Sequence, residues 1–469
     1  MGIDKQKIIT QLKDNIDFRR REFKNKTKRY TLIYIDGMVD LTSLSRFVIE
    51  QIPQIDNFKK SVKGGIVGFC DYEFVDEERW ALEGILRGKA ALFYKKECVL
   101  FDVRKTEGRA VTPPTEESSV LSSKDSFVED AKVNISLLRK KIVSENLKFE
   151  QIIIGKQTKT LACLTFMDNI ANEQLIKSVR EKLEKLDVDG VFTTAMIEQA
   201  LTDNLFCPFP QVVISERPDK IGKNLLQGRV AVIVDGIPLA FILPGTISSV
   251  MSTPEDYSSN FIFSSFVRML RYFLISIEIL LPGGYVALTT FHYEMIPTKL
   301  ALSIAEAKLG VPFPVIFEVL SMLALFEVLV EAGLHMPKSS GQVVSIVGAL
   351  VVGEAAIGVN LVSPAAVIIV AISVISSFAM PNQSFGNALR IWRIVITVLG
   401  AVLGLFGVVA GAICLLIQLA ALESFNVPYL SPFVKQDIGE IKKSVLVVPD
   451  KVNKFRPKEL SPINKRRRR

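Results

Sequence analysis

Histidine and cysteine are scarce in this chain of 469 residues, with two of the first and five of the second. His292 and His335 lie far apart, and Cys70, Cys98, Cys163, Cys207 and Cys414 form no C-x-x-C and no metal-ligand spacing. That argues against a zinc site, a disulfide framework and most catalytic triads. There is no G-x-x-x-x-G-K-[ST] and no G-x-S-x-G, so no phosphate loop or nucleophile elbow is available. Lys63-Gly64-Gly65 lacks the hydroxyl residue and helix start of a phosphate loop and reads as a turn. No cofactor, metal or catalytic residue is expected, and the chain is not read as an enzyme.

What the chain has in quantity is apolar sequence, 49% of it, unevenly placed. Up to about residue 225 the composition is that of a soluble protein. From 261 to 422 it is membrane-like, and from 423 to 469 it is basic, with twelve Lys and Arg against five acids. Residues Gly348 to Pro381 read as two apolar helices meeting at a polar joint, Asn360 to Pro364. Ile394 to Leu422 is apolar almost throughout, longer than a bilayer span requires.

We expect spans at about 272–290, 342–359, 364–380 and 394–422. Arg268 and Arg271 before the first favour entry from the cytoplasm. That span contains Glu278 and Pro282-Gly283-Gly284, which should break the helix and call for neighbouring protein. The stretch 315–334 carries Glu318, Glu327 and Glu331 near one face. A mid-bilayer charge costs at least about 2.5–3.5 kcal/mol, so this stretch reads as an interfacial or re-entrant helix. Four spans return the basic tail to the cytoplasm; a fifth would put it outside. Arg390 and Arg393 sit awkwardly on the outer flank in this count. The tail is expected to be solvated and to touch anionic lipid. With no aromatics interleaved in the run, no nucleic-acid contact is expected.

The soluble half begins with a charged N-terminal segment, 1–29, expected to be helical. No cleavable signal sequence is read there, so this half is expected in the cytoplasm. A strand at Tyr30–Ile35, a helix from Leu41 and a strand at Leu86–Phe93 make a first α/β module, 30–105. A Thr/Pro/Glu/Ser-rich linker covers 106–126. A linker helix and second module fill 127–250, with a strand at Thr160–Phe166, a helix from Asn172 and a strand at Leu226–Ile233. The pattern L-x-G-[KR]-x-A-x-[FI] occurs in both modules at matching places, which points to an internal repeat. The fold class is therefore two related small α/β modules followed by an all-α polytopic membrane domain.

Glu354 is the intramembrane carboxylate of most interest. One reading makes it a packing residue bonded to a neighbouring helix. The other places it in a ring of carboxylates, one per subunit, along a cation path, with Asn360 and Ser363 supplying neutral oxygens. Gly348, Gly353, Ala355, Ala356 and Gly358 allow the close helix approach that oligomeric packing needs. Glu216, Arg217 and Asp219 read either as a local ion pair shaping a loop or as a partner contact. Glu318, Glu327 and Glu331 are further candidates for subunit or partner contact.

Motifs along nearly the whole chain resemble the A subunits of GerA-type spore germination receptors. They are Asn134 to Ile142, Cys207-Pro208-Phe209-Pro210-Gln211, Glu216-Arg217-Pro218-Asp219 and Gly228 to Gly236. In the membrane half they are Leu281 to Ala287, Pro312-Phe313-Pro314, Glu331-Ala332-Gly333 and Gly348 to Pro381. The chain departs at Ser123-Lys124-Asp125-Ser126-Phe127, where the family tends to have Gly-Pro and then Gly-Phe, and at Glu354, where it often has Gln. The resemblance implies a homo-oligomeric subunit of the spore inner membrane. It would act with a transporter-like B subunit that binds nutrient and with a C lipoprotein, leading to release of monovalent cations. The paralogous stage V sporulation AF protein shares the architecture. A non-conducting scaffold that clusters the B and C subunits is the alternative from a different class.

Overall fold

The computed structural model describes residues 3–25, 28–55, 58–63, 70–105, 114, 117, 122–334, 353–434, 438–449 and 451–467. Most of the linker 106–126, the beginning of the expected span 342–359, Gly64, Gly65, His335 and Gly348 lie outside them.

The N-terminal segment is not one helix. Helix α1 (Lys5–Leu12), capped by the Asp4 side chain, gives way to strand β1 (Phe18–Asn25), which pairs with β2 (Lys28–Ile35) from Phe18↔Ile35 to Asn25↔Lys28. The run Arg19–Arg20–Arg21 that looks helical in sequence lies on a sheet edge, where charge discourages pairing with another chain. Strand β3 (Tyr72–Val75), helix α2 (Glu78–Leu86), β4 (Ala90–Tyr94) and β5 (Glu97–Phe101) complete an antiparallel sheet of order β1-β2-β4-β5-β3.

Helix α3 (Ala131–Lys141) leads into β6 (Leu147–Ile154) and β7 (Thr160–Met167), followed by α4 (Glu173–Glu184). Then come β8 (Val213–Ser215), α5 (Pro218–Gln227), β9 (Val230–Val234) and β10 (Ala240–Leu243). The second sheet has order β6-β7-β9-β10-β8, the same topology as the first. The repeated sequence pattern has a mechanical origin. It is the passage from α2 to β4 and from α5 to β9, where Gly88 (φ 86) and Gly228 (φ 106) turn the chain out of the helix in a conformation costly for other residues. The modules are joined by Arg139, fully buried, whose Nε and Nη2 bond the Asp17 carboxylate at 2.9 and 3.0 Å.

The helical half consists of α6 (Phe261–Phe291), α7 (Thr298–Lys308), α8 (Val315–Leu334), residues 353–358, α9 (Pro364–Phe378) and α10 (Gln383–Ala421), followed by α11 (Ile438–Val445). α6 and α10 are long and apolar enough to cross a membrane. Contrary to the sequence expectation, α6 runs unbroken through Pro282. α10 departs from expectation more sharply. Gly404 has φ 63 and ψ −148, and the chain reverses there. In a straight helix Ile396 and Gly411 would lie about 22 Å apart. Instead a Cβ on Gly411 would come 2.9 Å from Ile396 Cγ1, and one on Gly407 would overlap the Leu399 carbonyl. The single span expected over 394–422 is thus two antiparallel arms, 383–403 and 405–421.

These contacts orient the bundle. Both arms of α10 meet the second module: the Phe385 ring lies 5.6 Å from Phe209, and past the other arm Ser424 Oγ donates to the Gln211 carbonyl at 2.8 Å. The reversal at Gly404 sits beside Phe291 and His292, at the far end of α6. α8 does not lie flat. Its Val319, Met322 and Leu323 are buried in one core with Ala366, Val370 and Val374 of α9. Glu318 meets Ser363 at one end and Glu327 meets Arg393 nearer the modules. The joint around Asn360 therefore lies at the far end and residues 381–393 at the module end, the reverse of the sequence count. The extra reversal at Gly404 restores the parity that seemed to exclude α8 as a crossing helix.

The basic tail is not a free solvated segment. Arg456 Nε donates to the Leu226 carbonyl at 2.8 Å, and Ile463 N to the Ile170 carbonyl at 2.9 Å, which lays the tail against the second module.

Candidate functional site

The site begins with a proline. Pro282 has no N–H, so the carbonyl four residues earlier, on Glu278, loses its helical partner. Ser373 of α9 replaces it, its Oγ donating to the Glu278 carbonyl at 2.8 Å. This is how an apolar bundle tolerates proline. The next residues pack α6 tightly on α10: a Cβ on Gly283 would lie 2.9 Å from the Ile396 carbonyl, and one on Gly400 would lie 2.7 Å from the Gly283 carbonyl. Pro282-Gly283-Gly284 is a crossing point rather than a break.

At this crossing the Glu278 side chain is completely buried and neither of its oxygens has a hydrogen-bond partner among the described residues. The charged groups acting on it are Arg393, Arg390 and Glu327. Arg393, 1% exposed, donates from Nη2 to Glu327 Oε1 at 2.7 Å, while its Nε and Nη1 have no hydrogen-bond partner among the described residues. Arg390 Nη1 reaches Glu327 Oε2 at 3.5 Å. Two carboxylates and two guanidinium groups from three helices therefore form a cluster of zero formal charge in which one carboxylate is paired and the other is not. A buried unpaired charge costs several kcal/mol unless a cation or proton reaches it. Arg393 thus lies within electrostatic reach of both carboxylates and is bonded to Glu327.

A second carboxylate stands at the far end. Glu318, 1% exposed, accepts from the Ser363 backbone N–H at 2.8 Å and lies 3.8 Å from Lys308 Nζ. Ser363 caps α9, its hydroxyl accepting from Ala366 N at 3.4 Å, so Glu318 neutralises the positive end of that helix. Asn360 is exposed, with φ 57, three residues before Ser363. Glu354 is exposed on the helical residues 353–358, and Glu331 is exposed on α8. The structure thus brings Ser363 and Glu318 together, places Asn360 in the same loop, and leaves Glu354 on an outer face.

The Glu216-Arg217-Pro218-Asp219 loop faces inward. Arg217 is fully buried. It bonds Asp219 at 2.8 and 3.1 Å, the Glu117 carbonyl at 3.0 Å and the Ser123 carbonyl at 2.9 Å. Glu216 accepts from Glu117 N at 2.9 Å and from Ser126 Oγ at 3.2 Å. All these bonds lie within the chain and fasten the linker to the second module. Among the described residues no group of three metal-ligating side chains forms.

A profile of the family described as "Bacillus/Clostridium GerA spore germination protein" matches residues 6–459. The chain belongs to the GerA family. Spore germination protein XA of Bacillus anthracis is 36% identical over 451 residues, covering 94% of this chain and 92% of that protein. Spore germination protein KA of Bacillus subtilis (strain 168) is 35% identical over 447 residues, covering 92% and 81%. Spore germination protein B1 of the same strain is 31% identical over 475 residues, covering 100% and 98%. The crystal structure of the N-terminal domain of the A subunit of the Bacillus megaterium spore germinant receptor GerK3 aligns at 25% identity with a TM-score of 0.41. It covers 50% of this chain and 91% of that one.

In this GerA-family chain the resembling motifs occupy joints. Phe209 of the Cys207–Gln211 motif packs against Phe385 and Tyr429, where the second module meets the bundle. The Glu216–Asp219 motif is the linker clamp, and Leu281–Ala287 is the crossing of α6 and α10. Sequence reasoning singled out Glu327 but did not join it to Arg393, and treated Glu278 as incidental. The usable signal was the presence of Arg390 and Arg393 in one apolar helix with Glu278 and Glu327 inside two others.

Proposed function

We propose that this chain is the A subunit of a nutrient-responsive germination receptor. It forms a homo-oligomer in the spore inner membrane with its α/β modules and tail in the cytoplasm. Nutrient sensing by a transporter-like B subunit, together with a C lipoprotein, is coupled through it to release of monovalent cations. The observation that supports a moving subunit over a scaffold is the half-satisfied cluster of Glu278, Glu327, Arg390 and Arg393. A pure scaffold gains nothing from an unpaired carboxylate buried at a helix crossing. In a two-state subunit, Arg393 moves from Glu327 to Glu278 as the receptor opens, so that each state pairs one carboxylate. A partner's ligand shifts that equilibrium by its differential affinity for the two states. Glu354, Asn360 and Ser363 line the cation path in the oligomer, and Glu331 is a subunit contact.

The test is potassium release from spores after nutrient addition. Glu278→Ala removes the alternative partner of Arg393 and favours the present pairing; at matched receptor level it should slow release about tenfold or more. Glu354→Ala, on the path, should change rate or ion preference. Unchanged release in both variants would favour the non-conducting scaffold.

A further inference from the structure

The turn 204–207 leaves the second module where it meets the bundle and carries two large apolar side chains outward. Among the described residues Leu205 is exposed and Phe206 is 99% exposed. The backbone beneath them is fixed. Gln211, itself buried, donates from Nε2 to the Asn204 carbonyl at 3.0 Å and accepts from Asp203 N at 3.1 Å. Phe206 N donates to Asn204 Oδ1 at 3.2 Å and Cys207 N to the Asn204 carbonyl at 3.3 Å. A turn held in this way presents both side chains rather than folding them onto the module. No charged residue occurs from Asn204 to Ser215, and Asp203, just before the turn, is paired with Lys182 at 2.6 Å. The tip is therefore apolar, and covering it would strip no charge of water.

Height along the bundle narrows what covers this tip. α6 and the first arm of α10 run side by side in the same direction, Gly283 packing on Ile396 and Gly400 and Phe291 lying beside Gly404. Phe385 is 11 to 15 residues before Ile396 and Gly400, which sets it level with about residues 268–272 of α6 at equal rise per residue. In the second arm Gly411 packs on Ile396. Gln418, seven residues further on, therefore comes level with roughly residues 272–276 of α6. Phe209 lies 5.6 Å from Phe385, and Cys207 Sγ is 3.9 Å from Gln418 Nε2. The turn thus sits where α6 passes from Arg268 and Arg271 into its uncharged run, and where Phe273 is exposed. Ile413, Leu416 and Ile417 continue an exposed apolar surface from Gln418 away from the modules. Aromatic side chains at such a height are those that the boundary of a bilayer takes up. We infer, on the membrane placement of the bundle proposed above, that Leu205 and Phe206 seat in the boundary layer of the leaflet nearer the modules. The second module is then anchored to lipid as well as to α10, and it cannot tilt against the bundle without moving Phe206 relative to lipid.

The experiment uses the full chain in phosphatidylcholine vesicles, with Trp80→Phe/Trp392→Phe removing both native tryptophans. Phe206→Trp, Phe273→Trp or Phe192→Trp then introduces a single fluorophore. Emission is compared between plain lipid and lipid brominated near the head of its acyl chains. Phe273→Trp reports on the bundle itself. Phe192 is exposed near Thr158 of the β6–β7 turn. That turn lies beyond the Ala162↔Val234 pair, at the end of the second sheet away from the Gly245–Gln211 contact. Phe206→Trp should lose roughly half its emission or more in brominated vesicles, as Phe273→Trp does, while Phe192→Trp stays unchanged. Quenching of Phe273→Trp without quenching of Phe206→Trp overturns the anchor and leaves the bundle in the membrane; the tip then faces water or a second copy. No quenching in either overturns the membrane placement and the anchor with it. Equal quenching of Phe192→Trp would mean that the module adsorbs to lipid at large, and overturns a specific anchor as well.

Discussion

At the scale of single residues, the bond from Ser373 to the Glu278 carbonyl exists because Pro282 freed that carbonyl, and this makes it testable. Ser373→Ala should lower stability in detergent by about 0.5–2 kcal/mol. In a Pro282→Ala background, where the N–H returns and the carbonyl bonds within α6, the same substitution should cost almost nothing. Thermal melts of the four proteins give the cycle, and equal costs in both backgrounds would show that the bond does not compensate the proline. Asp256 provides a pH test outside the bundle. It is 2% exposed, and its Oδ2 accepts from Arg268 at 2.7 Å and Arg271 at 3.1 Å. Burial alone would raise its carboxyl, but the bonds and charges of Arg271 and Arg268 outweigh this and hold it below the ordinary value. A depressed carboxyl stabilises the fold above its unfolded pKa, about 3.9. That stabilisation is lost as pH falls through the lower folded value. Asp256→Asn should therefore lower the melting temperature at pH 7 and flatten the acid limb below about pH 4. A pH profile unchanged by the substitution would mean the junction does not depend on this carboxylate.

At the scale of elements, sequence disclosed what local chemistry dictates. The passage from α2 to β4 and from α5 to β9 needs a left-handed residue after the helix, so Gly88 and Gly228 recur in the same pattern and reveal the duplication. Strand β1 escaped because its run of Arg19, Arg20 and Arg21 carries no apolar alternation; only pairing with β2 makes it a strand. The reversal at Gly404 escaped for another reason. Gly400, Gly407 and Gly411 surround it in one apolar run, and which glycine turns is decided by packing between the arms and against His292. The Glu327–Arg393 pair spans 66 residues of sequence, so its members were visible and their meeting was not. The joint between modules is a further element-level device. Arg139 and Asp17 are buried and doubly bonded, so Asp17→Asn leaves a buried guanidinium uncompensated, which costs about 3–5 kcal/mol. Protection from hydrogen exchange should drop in β1 and β6 together; a loss confined to β1 would show that the modules are not coupled through this pair.

At the scale of the whole molecule, the reversal at Gly404 decides which end of the bundle each joint occupies. With a single span over 394–422, the segment around Gln383 to Arg393 faces away from the modules and the Asn360 joint faces them. With two arms the positions exchange, since Phe385 packs on Phe209 and Ser363 meets Glu318 at the far end. The two-arm arrangement also places both arginines on the half of the bundle nearer the modules, paired with Glu327, and gives the three acids of α8 a route through the bundle instead of along its surface. Cysteine scanning separates the alternatives in vesicles whose orientation leaves the modules inside. Cys414 is the native cysteine exposed on the bundle, so Cys414→Ser is the background. Asn387→Cys should react with an impermeant maleimide only after permeabilisation, and Leu361→Cys should react in intact vesicles. If Asn387→Cys is labelled in intact vesicles while Leu361→Cys is protected, α10 crosses once, and the charge cluster does not lie on the half of the bundle nearer the modules.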